Sequence, residues 1–346
     1  MINVMQKQLS VIVLGLMSYG LVAHSAQAVI VNVRMDTSGN WNVGTNWDNG
    51  GVVDTPPDSD DIAIVGTTSG SGISPAIATV DGPQGAQNTM DITIGESSGS
   101  SGTINVESNG SLTSTGKVKI GANVSTGVLS VSTGGTYTHT GTTGFQIAPF
   151  AGATGSLSVV GSGSSFSSSQ GLTIGSSSGG TTANSEIHIE NGGNLSVSGN
   201  SLLYDDWTLS VSGSNSEVDF IGEFRTLSSG GTFQAAIDGD LDMVSVGTLR
   251  LGSTMTIRPS ALGSLADGEY TILTYGSLYS GTTLGDFILD DQDISGTWSD
   301  LALSAGTLRV NYVAAVPEPG AWMMMALVGG VVFVRKWMAK TKRVNI

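Results

Sequence analysis

The sequence predicts an all-β protein wound as a parallel β-solenoid (β-helix) with coils of about 27 residues. Three observations carry that prediction. Ile92-Thr-Ile94-Gly95 recurs as Val118-Lys-Ile120-Gly121, Phe145-Gln-Ile147-Ala148 and Leu172-Thr-Ile174-Gly175, in steps of 26, 27 and 27 residues. Each copy, and the strands after it, alternates apolar with polar residues, the signature of a strand buried on one face. The chain of 346 residues is also rich in turn formers and poor in charge, with 50 Gly and 12% charged residues. A fixed period near 27 with Gly-, Ser- and Asn-rich connections fits stacked coils, since one coil cannot bury its own apolar face. An antiparallel β-sandwich is the alternative.

Residues 1–28 are expected to be a secretory signal. Lys7 precedes an apolar run from Leu9 to Val22, and Ala26-Gln27-Ala28 has the small-x-small form cut by signal peptidase, with Ala26 and Ala28 as the small residues. Residues 29–90 then form an N-terminal cap and the first coils. Trp41, Asn46-Trp47-Asp48 and Pro56-Pro57 precede the acidic run Asp58, Asp60, Asp61. The aromatics are expected to cover the open end of the first coil, where an unpaired strand edge invites aggregation.

Residues 91–240 hold the repeats. The second strand of each coil is Ile104-Asn-Val106, Leu129-Ser-Val131, Leu157-Ser-Val159 and Ile187-His-Ile189. The third follows a turn and carries Leu112, Tyr137, Phe166 and Leu195. A degenerate fifth copy starts at Leu209-Ser-Val211 and passes through Val218. Ile94, Ile120, Ile147 and Ile174 should stack up the interior about 4.8 Å apart, beside Val106, Val131, Val159 and Ile189. Residues 241–313 have longer strand patterns without the period, and are expected to form a β-rich C-terminal cap.

In residues 314–346, Val316-Pro317-Glu318-Pro319 precedes the apolar stretch Ala321–Val334 and the basic residues Arg335, Lys336, Lys340, Lys342 and Arg343. The stretch predicts a short transmembrane helix, with the basic cluster as a cytoplasmic membrane stop. Pro317-Glu318-Pro319, an apolar span and a terminal basic cluster, in that order, resemble the PEP-CTERM sorting domain over about 30 residues. That resemblance implies recognition by exosortase, a membrane transpeptidase-like protease. It also implies a Gram-negative envelope or exopolysaccharide-associated protein, anchored transiently and then released into the envelope or matrix. The Trp- and Asn-rich opening, and Gly268-Glu-Tyr270-Thr-Ile272-Leu273 with Phe287 and Trp298, resemble the ends of β-helical, autotransporter-passenger-like envelope proteins.

Charge and composition exclude several functions. There is no Cys, so disulfide scaffolds, thiolate metal sites and thiol nucleophiles are out. The formal net charge is −15, and residues 29–316 carry 7 basic against 27 acidic residues, a balance of −20. Nucleic-acid binding is not expected, and the surface as a whole should repel anionic polymers.

No constellation points to catalysis, and no cofactor is expected. His139 and His188 fall in polar strand slots, His188 flanked by Glu186 and Glu190, and both are expected to be solvated. Gly95-Glu-Ser97-Ser-Gly99 and Gly175-Ser-Ser177-Ser-Gly179 match the hydrolase elbow string, but no helical period follows, so they are turns. Asp238, Asp240 and Asp242, or Asp290, Asp291 and Asp293, are candidate Ca²⁺ ligands that read more simply as solvated turns. Asp205-Asp206-Trp207 is the one set that could bind sugar, with Trp207 as a stacking platform. The expected function is therefore a non-enzymatic, exported structural or adhesive protein with exopolysaccharide as a partner. The alternative is a carbohydrate-active β-helix enzyme, a polysaccharide lyase or hydrolase.

Overall fold

A computed structural model describes residues 31–50, 55–70, 72–177, 183–204, 206–228, 230–238, 244–293, 296–304 and 306–315. The protein is all-β, with a parallel β-solenoid of about nine turns. The expected signal helix and C-terminal transmembrane helix lie outside the described residues.

Each coil has three strands, and three parallel faces run along the stack. The first face contains Ala76–Asp81, Ser101–Glu107, Thr126–Ser132, Thr154–Val160, Asn184–Glu190, Trp207–Ser212, Gly231–Ile237 and Met255–Ala261, each paired in parallel with the next. The second carries Ser111–Ser114, Thr136–His139, Ser165–Ser168 and Asn194–Val197. The third carries Asn32–Met35, Ile62–Val65, Asp91–Ile94, Val118–Ile120, Phe145–Ile147, Leu172–Ile174 and Ser201–Leu203. Strand Glu217–Thr226 serves the second face with its first half and the third with its last, breaking register between Phe220 and Glu223.

The sequence alternation dictates which side chains enter the core, because successive strand residues point to opposite sides. Ile94, Ile120, Ile147 and Ile174 stack in register and are essentially inaccessible to solvent, as are Val106, Val131, Val159 and Ile189. Burying each such side chain contributes about 1.5–3 kcal/mol. The aromatic set Tyr137, Phe145 and Phe166 packs between the second and third faces, with Tyr137 and Phe166 stacked at 5.3 Å. The coil length is not uniform: Val159 to Ile189 is a step of 30 residues and Ile189 to Val211 one of 22. Turns absorb the difference while the strands keep register.

The corner after each third-face strand shows why Gly recurs. Gly121 has φ of 70°, and a Cβ there would lie 2.2 Å from the Thr154 carbonyl oxygen of the next coil. Ala148 holds the same corner with φ of 46°, a left-handed conformation that costs an L-residue about 1–2 kcal/mol.

At the N-terminal end, Trp41 and Trp47 are fully buried edge to face at 4.9 Å, and the Trp47 indole N–H donates to the Trp41 carbonyl at 2.7 Å. Within 241–313, Val244–Leu251 and Met255–Ala261 still pair in parallel with the preceding coils. Antiparallel pairing joins Gly268–Leu278, Gly296–Ser304 and Thr307–Ala314. Tyr270, Trp298 and Tyr312 pack together there, Trp298 and Tyr312 at 4.5 Å.

Candidate functional site

The residues expected to direct export and sorting lie outside the described residues. They are Ala26, Ala28, Pro317, Glu318, Pro319, Arg335, Lys336, Lys340, Lys342 and Arg343. Asp205, Asp240 and Asp242 also lie outside them. The chemistry-bearing side chains that are described fall into four groups.

The first is interior, and it corrects the expectation for His139. That residue is buried, because position 139 ends a second-face strand on the inward side. Its Nε2 lies 3.0 Å from the Thr143 carbonyl, which can only accept, so Nε2 carries the proton. Nδ1 then accepts from Ser114 Oγ at 3.0 Å, and Ser114 Oγ accepts from the Tyr137 hydroxyl at 2.7 Å. Every polar atom of the chain is satisfied with a neutral imidazole. Burial holds the His139 pKa below its usual value and pushes the Tyr137 phenol up. The next coil has Ser168 at the equivalent position, donating to the Gln170 carbonyl. These side chains satisfy corner backbone, and the interior polar row is structural. His188 is on the first face, half-buried and 3.1 Å from Glu186.

The second group is the Gly-x-Ser-x-Gly turns. Ser97 sits in a corner where its Oγ is 2.9 Å from Thr67 Oγ1 and its N–H donates to Ser100 Oγ. A strand precedes it and no helix follows, and no imidazole is among its partners. The described part of the second copy, including Ser177, occupies the same corner two third-face strands beyond Gly121.

The third group is acidic. Asp290 accepts two hydrogen bonds from the Arg258 guanidinium at 2.9 and 2.7 Å. Asp291 accepts from the Trp298 N–H, and Asp293 from the Trp298 indole and the Ala261 N–H. These carboxylates fasten the cap to the last coils rather than lining an open turn. Asp61 accepts from the Asp58 N–H, and burial raises its pKa. No group of three or more His, Asp or Glu among the described residues is arranged to hold a metal. Trp207 corrects the sugar-platform expectation. It is 2% exposed, packs edge to face with Phe224 at 5.7 Å, and a Cβ at Gly231 would fall 1.9 Å from its ring. It starts its strand pointing inward, so it fills core where earlier coils have Gly102, Gly127, Gly155 and Ser185 in the same row.

The fourth group was not anticipated, and it revises the picture of a uniformly acidic surface. One outward row of the third face reads Arg34, Ile64, Thr93, Lys119, Gln146, Thr173, Leu202, Arg225, Arg250. It holds four of the seven basic residues between 29 and 316 and no carboxylate. Lys117, a fifth, lies beside Lys119 in the adjacent row, opposite Asp91, which accepts the Lys117 N–H at 2.6 Å. The two lysines, with Asp91, Glu96, Thr93 and Ile64, line a cleft of about 210 Å³. Arg250 reaches Glu223 at 3.4 Å and lies 3.9 Å over the Tyr279 ring. Lys117, Lys119 and Arg225 have no ion-pair partner among the described residues. The signal was present in the sequence: each cation sits in the polar slot of a third-face strand.

No family model, curated protein or solved structure matches the chain. No helix among the described residues is long and apolar enough to cross a membrane.

Proposed function

We propose that this is a non-enzymatic, exported protein of the cell envelope or extracellular matrix, with a structural or adhesive role in exopolysaccharide. In this reading signal peptidase cuts after Ala28. The C-terminal span then anchors the chain until exosortase acts at Pro317-Glu318-Pro319, in a Gram-negative host. The observation that supports an adhesive role is the repeated uncharged surface of the coils. The second face turns Thr113, Thr138, Ser167 and Ser196 outward in one in-register row. Such rows offer hydroxyls at a regular rise and suit a hydroxyl-rich polymer better than a single small ligand. The acid–base residues that are buried in the coils serve packing, as the His139 chain does.

Replacing Pro317-Glu318-Pro319 by alanines tests the sorting half of the proposal. The expected result is a membrane-anchored, unprocessed protein; an unchanged processing pattern removes exosortase. The second reading, a carbohydrate-active enzyme, is favoured by one observation, the cleft that gathers Asp91, Glu96, Lys117 and Lys119. Incubation with a polyuronate separates the readings: new unsaturated or reducing ends establish the enzyme, and binding without new ends supports the adhesive role.

A further inference from the structure

We infer that the outward row from Arg34 to Arg250 is a docking strip for an extended anionic polysaccharide, a partner whose choice rests on the adhesive reading above. The row has nine positions on nine successive coils, of which Ile64 is buried, and contains cations, amides, hydroxyls and aliphatics but no acid. The enclosing segment has almost four acids for each base, so this segregation leaves one acid-free row of cations on a negative protein, flanked on its own face by Asp91, Glu96 and Glu223. At about 4.8 Å per coil, Lys119 and Arg225 are four coils, or about 19 Å, apart. Gln146 and Thr173 lie between them with hydrogen-bonding groups and no charge. The strip thus presents cations at both ends and hydroxyl-matching groups in the middle. A polymer carrying carboxylates at intervals along a hydroxylated backbone has the complementary pattern.

The net charge does not forbid this contact. At physiological ionic strength the screening length is about 8 Å, so the acids of the first and second faces and of the cap are damped at the strip. The acids of its own face stand in the neighbouring rows, Asp91 and Glu96 beside Lys119 and Glu223 against Arg250. Nor are the cations all spent internally. Lys117, Lys119 and Arg225 have no ion pair among the described residues, and the buried Nε atoms of Arg34 and Arg225 have no hydrogen-bond acceptor. A second copy of the chain is the weaker fit. Its first face does carry carboxylates in one row, Asp81 beside Glu107 and then Glu190. That row lacks the hydroxylated backbone that the uncharged middle of the strip would meet, and the sedimentation arm of the test separates this occupant. Nucleic acid would want stacking aromatics between the cations, and none stands in the row.

The test is affinity electrophoresis of the full chain, in mild detergent, through native gels containing alginate or neutral dextran. Alginate should retard the protein and dextran should not, and the retardation should fade with salt. The double variant Lys119→Gln with Arg225→Gln should weaken alginate binding about two- to thirtyfold, since each exposed pair contributes modestly. Arg309→Gln, on the cap, should bind like the parent. The thermal melt of the double variant should match the parent, because the two strip positions point outward, and Arg309→Gln should lose no more than an exposed ion pair with Glu269 contributes. Equal retardation by dextran, loss of binding in Arg309→Gln, or an unaffected double variant overturns the strip. So does a sedimentation coefficient showing self-association that the double variant abolishes. A chain that is processed normally but ignores alginate defeats the strip alone. One that binds alginate but is never processed defeats the sorting proposal alone.

Discussion

The coils between residues 91 and 197 and the segment from 255 to 314 solve the same problem by different means. In the coils, each inward side chain sits on its equivalent one turn away, Ile on Ile and Val on Val, and the backbone ladder is continuous. Charge plays no part inside. In the C-terminal segment the stack must end, and the last coils are closed by antiparallel strands held through carboxylates. Asp290 grips Arg258, Asp291 and Asp293 grip Trp298, Asp293 also takes the Ala261 N–H, and Asp267 takes the Ala314 N–H. Repetition supplies its own partners, whereas an ending must import them. Cohesion is therefore hydrophobic and delocalised in the coils, whereas the ending adds localised polar fastenings to an aromatic core of its own, Tyr270, Trp298 and Tyr312.

The largest expected effect breaks the repeating region. Ile147→Asp places an unpaired charge in the core, where burial without a partner costs several kcal/mol. Gln146→Asp, one residue away and outward, should change the melting temperature little. Equal losses from the two would mean the register is wrong.

A smaller, local effect should break the ending. Asp293→Ala leaves the Trp298 indole and the Ala261 N–H without their acceptor, a loss of about 1–3 kcal/mol. Hydrogen exchange should speed up in Gly296–Ser304 and Thr307–Ala314 and stay slow in Thr126–Ser132. Uniform loss of protection along the whole stack would show that the two regions unfold as one cooperative unit.

The smallest effect sharpens the contrast by pH. The His139 pKa is held below the usual 6.5 by burial. An unfolded imidazole takes its proton near 6.5, so below that value the unfolded chain binds more protons than the folded one. The contribution of His139 is complete above about pH 6.5 and is lost as pH falls through its folded value. Protonation would also give Nδ1 a hydrogen that faces a Ser114 hydroxyl already receiving one from Tyr137. Between pH 7 and 5 the melting temperature of His139→Gln should decline less than that of the parent. A parallel decline in both proteins would remove His139 from the acid sensitivity.

Much of the architecture was legible. The Ile-x-Ile-Gly recurrence located the third-face strands and the residues at each inward row. His139 was misjudged because its place at the end of the second-face strand, inward at a corner, depends on where that strand begins. Trp207 was misjudged for a related reason. An aromatic after two aspartates looks like a surface platform until the neighbouring coils reveal that its row is lined by Gly and Ser and has room for an indole. The acidic run 290–293 carries no local mark of its partners, since Arg258 is 32 residues from Asp290.

What the sequence by itself determined is the coil. Side-chain direction in a strand is a local property with a period of two, and the left-handed corner at Gly121 is local as well, so strands, turns and inward rows follow from short stretches of chain. What only the tertiary structure decided is which outward residues become neighbours. Arg34, Lys119, Arg225 and Arg250 come from strands scattered over most of the chain, separated by steps of unequal length. They share one row because parallel pairing sets the register coil by coil and lets the turns absorb the excess. Register is a property of the stack, and a shift of one residue in any coil would turn its cation from the row into the core.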